Sequence, residues 1–167
     1  LSEAIEGFSY DAFASKDGAD LRFSTTDGVE LPYEIEAWNP GGRSAVWVTV
    51  PVLANNRTQI LMYWGNGEAA RFPSYTRDGS TWSEGFAGIW HMETPNTKNG
   101  VSQKTATGHN ARTVRGVIAQ AQEFSGKKQP RIVIDPVGKE LQITGPLTVS
   151  AWIKPLARSG ILGIITK

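Results

Sequence analysis

The chain has 167 residues, a formal net charge of +1 from 17 Lys and Arg against 16 Asp and Glu, and no cysteine. That balance excludes the concentrated basic face that nucleic acid or acidic membranes require, and the lack of thiols excludes disulfides and thiolate metal sites. The longest apolar run, near Ile161 to Ile165, falls far short of the ~20 residues of a membrane span, so no membrane insertion is expected of this segment.

Eighteen glycines, nine prolines and six tryptophans, with few long helical patterns, predict an all-β chain rich in tight turns. The chain opens at Leu1 with neither initiator methionine nor signal peptide, and reads as a fragment or processed piece of a longer protein. Residues 1–16 predict a short helix or irregular lead-in around Tyr10 to Ala14. Asp20 to Ser24 is strand-like, and Thr26-Asp27-Gly28 is a turn signal, because glycine supplies the positive φ a hairpin needs. Val29 to Trp38, Ala45 to Val50 and Arg57 to Trp64 complete four strands at the spacing of a sandwich or barrel, with Pro51 stopping the third. Residues 68–85 lose the periodicity and predict a connector, which places a boundary between units 1–82 and 83–167.

Beyond the connector, Phe86 to Met92 predicts a strand and Glu93 to Asn110 a polar loop. Val117 to Phe124 and Arg131 to Ile134 predict further strands, and Ile161 to Thr166 a last one. The clearest alternation lies in Leu141 to Lys154: after the turn at Thr144-Gly145-Pro146, Leu147, Val149, Ala151 and Ile153 point one way and Thr148, Ser150, Trp152 and Lys154 the other.

In the first half, Asp17-Gly18-Ala19-Asp20-Leu21-Arg22-Phe23, Leu31-Pro32-Tyr33-Glu34-Ile35-Glu36, Trp38-Asn39-Pro40, Val46-Trp47-Val48 with Val50-Pro51, and Met62-Tyr63-Trp64-Gly65-Asn66 form one series. It resembles a bacterial domain-of-unknown-function family that precedes laminin G-like jelly rolls in secreted or surface proteins. The second half resembles the concanavalin A-like, laminin G-like fold through Gly88-Ile89-Trp90-His91-Met92, Gly116 to Ala121, Phe124-Ser125-Gly126 and Leu141 to Lys154. Thr105 stands where such domains often carry an aspartate, which weakens a calcium role carried over to that turn. The expected fold is therefore two small β-sandwich units, the second an incomplete jelly roll whose missing strands come from a neighbouring chain or from the rest of the parent protein.

Few residues point to chemistry. Glu34 and Glu36 share a strand face like a paired-carboxylate site, but a solvated face is the expected reading. His91 is expected to be partly buried and bonded to the backbone, and His109 to be exposed in a loop, so neither predicts a metal site. Asp17, Asp20, Asp27 and Asp78 lie beside glycines in turns, and of these Asp17, Asp20 and Asp78 are the calcium candidates. Trp82 and Trp64 are the candidate ligand-binding tryptophans, Trp82 because it stands in a polar connector where it either pins one unit to the other or meets a ligand. No nucleophile elbow or phosphate loop is present, so no catalytic residue is assigned.

The expectation is a non-catalytic segment of a large bacterial secreted or cell-surface protein, which binds a glycan or protein partner in adhesion or envelope assembly. One alternative is a structural link of a filament or stalk, completed by strand addition and associated with a proton-channel energy-transducing complex, as the resemblance implies. Another is an accessory or remnant glycan-processing module, with Glu34, Glu36 and Glu93 as its carboxylates.

Overall fold

The computed structural model describes residues 1–54, 57–82, 85–125, 129–135, 138–155 and 163–166. They form an all-β chain with eight short strands: β1 (Arg22–Thr25), β2 (Tyr33–Ala37), β3 (Ala45–Val48), β4 (Ile60–Tyr63), β5 (Thr107–His109), β6 (Arg112–Arg115), β7 (Gln120–Glu123) and β8 (Arg131–Val133). They pair antiparallel as β1–β4, β2–β3, β5–β8 and β6–β7. Single 3-10 turns, the first at Tyr10–Ala12, three between 67 and 82 and one at Lys139–Leu141, are the helical structure among the described residues.

The first four strands build a small sandwich. Leu21, Phe23, Leu31 and Tyr33 are buried together, and Ile35, Val46, Val48 and Met62 pack on them from β2, β3 and β4. Each such apolar side chain contributes about 1.5–3 kcal/mol on burial. The turn at Asp27-Gly28 forms, with Gly28 at a φ of 82° and its N–H donating to Thr25 O. The returning chain holds β1 through the Ser24–Glu30 bridge and the bonds from Thr25 N to Val29 O and from Leu31 N to Phe23 O. Pro32 then offers no N–H, and the chain crosses to the opposite sheet to pair with β3. The anticipated hairpin is thus a corner between two sheets.

Polar anchors fix the edges of this sandwich. Asp20 is buried and accepts the N–H groups of Ala14, Ser15 and Gly65, which ties the lead-in and the end of β4 to β1. The Trp38 ring lies flat over Gly18, where a Cβ would come within 2.8 Å of it, so only glycine fits.

The second half differs from the expected strands in several places. Phe86 to Met92 makes a single bridge, Trp90 with Asn99, because Met92 adopts a left-handed backbone (φ 59°) and turns the chain away. The segment read as a loop is pinned instead: buried Asn99 accepts from Ile89 N and Val101 N, and buried Thr97 accepts from Ala106 N through its carbonyl. It ends in β5, so His109 is a half-buried strand residue rather than an exposed loop residue. The predicted strand at Val117 to Phe124 starts three residues late, since residues 116–119 form the turn that joins it to β6.

The largest departure is Leu147 to Lys154, which forms no ladder, with Trp152 81% exposed. Alternation supplies two faces, but a strand also needs a neighbour's backbone groups, and none pairs with it among the described residues. Ile161 and Leu162 of the predicted last strand lie outside the described residues, and 163–166 form no ladder. Among the described residues, the buried apolar side chains lie before residue 34, with Ala106 the exception, so the second half has hairpins and bridges without a core of comparable size.

Candidate functional site

The site is built on the outer face of the β2–β3 sheet. Period-two alternation sends Tyr33 and Ile35 into the core and leaves Glu34 and Glu36 on the other side. Trp47 stands opposite Glu34 across the ladder, and β2 carries one extra residue between Ile35 and Ala37. A bulge of this kind re-aims a side chain, here that of Glu36, which accepts a 2.9 Å hydrogen bond from Trp47 Nε1.

The expected solvated face is in fact covered. Thr49 Oγ1 donates to Thr81 O and fixes the chain arriving from the connector. Trp82 then packs on Trp47 with ring centroids 5.5 Å apart and donates from Nε1 to Glu34 Oε2 at 2.5 Å. Phe86 meets Trp82 edge-on, and His91 lies against it at 5.6 Å. His91 is not bonded to the backbone, as its isolation in sequence suggested. Its Nδ1 pairs with Glu36 Oε2, while Nε2 lies 3.2 Å from Glu34 Oε1, off the axis of a hydrogen bond, so that contact is chiefly charge on charge. The side chains of His91, Glu34 and Glu36 are 15%, 24% and 5% exposed, which makes this a largely desolvated cluster.

Burial by itself disfavours a charged imidazole, but the two carboxylates outweigh it and push the His91 pKa up to about 10. Burial likewise opposes ionisation of Glu34, and there the His91 proton and the Trp82 N–H prevail and hold its carboxyl below the usual range. At neutral pH the cluster is an imidazolium clasped between two carboxylates. Its proton is held too tightly for general acid–base exchange near pH 7. The carboxylates address two different ring nitrogens instead of converging on one point, as a metal ion would require. Among the described residues, no group of three or more His, Asp and Glu is arranged to hold a metal.

Beside the clasp opens a cleft of about 570 Å³. Trp38, Phe72 and Arg77 line it from the first half and Glu93, Lys98 and Gln103 from the second. Arg77 lies 4.6 Å over the Phe72 ring, and Lys98 Nζ donates to Gln103 Oε1 at 3.2 Å. Glu93, one of the three carboxylates singled out in sequence, is exposed on this cleft, with Thr97 Oγ1 3.4 Å away.

The remaining candidates are dispersed. Trp64 is half-buried, stacked on Phe13 at 6.0 Å and tilted against Phe8 at 5.5 Å. Of the calcium candidates, Asp20 spends both oxygens on three backbone N–H groups, while Asp17 accepts from Ser15 Oγ and Ala19 N through Oδ1 and Asp78 accepts from Ser80 N and Oγ through Oδ1. Burial would raise the Asp20 pKa, but its backbone donors hold it below the ordinary aspartate value. His109 faces Arg131 across the β5–β8 ladder and takes no part in the clasp. The partnership of His91 with Glu34 and Glu36 spans more than fifty residues, and no spacing rule links such positions. The one legible signal was two carboxylates on a strand face that a tryptophan-bearing connector must pass.

No curated protein and no solved structure matches the chain. Residues 17–86, the span that holds β1 to β4, both clasp carboxylates and Trp82, match the family model described as a domain of unknown function, DUF2341.

Proposed function

We propose that the chain is a non-catalytic recognition segment of a large bacterial secreted or cell-surface protein, which binds a glycan or protein partner in adhesion or envelope assembly. The observation that carries this reading is the clasp. The acids and histidine that a hydrolase would keep poised are paired with one another, two carboxylates on one imidazolium, beside a cleft that stays open. In this reading residues 83–167 are the opening part of a concanavalin A-like jelly roll, and Trp82 stiffens one wall of the recognition surface. The test is a glycan array followed by calorimetric titration of the full chain. Binding without turnover of the bound polysaccharide supports the proposal. Turnover abolished by Glu93→Gln replaces it with the glycan-processing alternative.

A second reading, a filament or stalk link completed by strand addition, is favoured by the unpaired alternating segment Leu147 to Ile153, whose apolar side chains are exposed. Concentration-dependent assembly in sedimentation velocity, lost on Val149→Lys, is the outcome it requires.

A further inference from the structure

We infer that the cleft beside the clasp takes an uncharged, hydroxyl-rich ligand of the neutral oligosaccharide class; this rests on the recognition reading above. Three cationic side chains (Arg77, His91, Lys98) and four carboxylates (Asp17, Glu34, Glu36, Glu93) line the cleft. Glu34, Glu36 and His91 are spent on each other and leave one net negative charge held within the clasp. What faces a ligand is therefore a mixed set, Asp17 and Glu93 as acceptors and Arg77 and Lys98 as donors.

Such a set does not single out an ion. A polyanion gains from Arg77 and Lys98 but meets the carboxylates of Glu93 and Asp17, and a polycation meets the reverse. A hydroxyl both donates and accepts, so a ring carrying several can satisfy carboxylate and ammonium neighbours together. Trp38 and Phe72 provide apolar wall for the C–H faces of such a ring. The volume of about 570 Å³ lies within the range of small-ligand sites, roughly 300–1,000 Å³.

The full chain is titrated calorimetrically with neutral gluco-, galacto- and manno-oligosaccharides and with an oligouronate, each at low and high NaCl. Expected is binding of a neutral oligosaccharide whose Kd changes less than twofold with salt, because no net charge is neutralised. Glu93→Ala and Lys98→Ala each weaken it about tenfold with an unchanged melting curve, as loss of one hydrogen-bond partner does. Preference for the oligouronate, with affinity falling steeply in salt, overturns the inference and leaves the recognition reading standing. Neutral binding indifferent to both substitutions overturns the assignment to this cleft. Binding of no glycan of either charge overturns the inference together with the glycan form of the proposed function.

Discussion

His91 is the residue on which most of the site depends. Its pKa of about 10 in the folded chain, against an ordinary 6.5, means that the imidazolium contributes its full stabilisation below about pH 6.5. That contribution is lost as pH rises from there through about 10. Glu34, held low, contributes above its ordinary 4.5 and loses its share as acid protonates it. Stability from the clasp is therefore greatest between about pH 4.5 and 6.5. His91→Gln should lower the urea unfolding free energy by about 2–3 kcal/mol at pH 6, below the range for fully buried pairs because the cluster keeps some solvent contact. It should also flatten the decline between pH 7 and 10. A variant that keeps the wild-type alkaline slope would show that the pair does not hold the fold.

At the scale of elements, backbone pairing separates stretches that look alike in sequence. Tyr33 to Ala37 and Leu147 to Ile153 both alternate, yet among the described residues only the first has a ladder partner. Hydrogen exchange should find the amides of β2 among the slowest in the chain, while those of Thr148 to Ile153 exchange at nearly the rate of an unstructured peptide. Protection of the second stretch in a dilute monomer would contradict its unpaired state. The same logic explains which elements were legible. Strands β1 to β4 carry β-branched and aromatic residues between strong turn signals, and each was found within a few residues. β6, Arg112-Thr113-Val114-Arg115, has too little apolar content to announce itself, and it exists because the turn at 116–119 brings β7 back beside it.

On the scale of the molecule, the clasp joins segments that the sequence assigned to separate units. Trp82 and His91 cover the outer face of the first sandwich, so the sheet is roofed by chain from beyond the connector. A chain ended after Trp82 leaves Glu34 and Glu36 without His91 between them. Such a truncation should unfold at lower urea than one ended after Asn110, by an amount comparable to His91→Gln, as measured by the fluorescence midpoint. Equal midpoints would mean that residues 85–110 sit on the sandwich without supporting it. No helix among the described residues is long and apolar enough to cross a membrane.

The sequence alone determined the all-β class, the first four strands and the turns between them, because these follow from side-chain period and from the backbone limits of glycine and proline. Glu34 and Glu36 were visible as a pair for the same reason. Only the tertiary structure decided what they face: pairing at a distance depends on where the chain returns, and neither alternation nor turn chemistry encodes that. It likewise decided that Leu147 to Ile153 has no ladder partner among the described residues, since a strand is completed by a neighbour's backbone and not by its own residues.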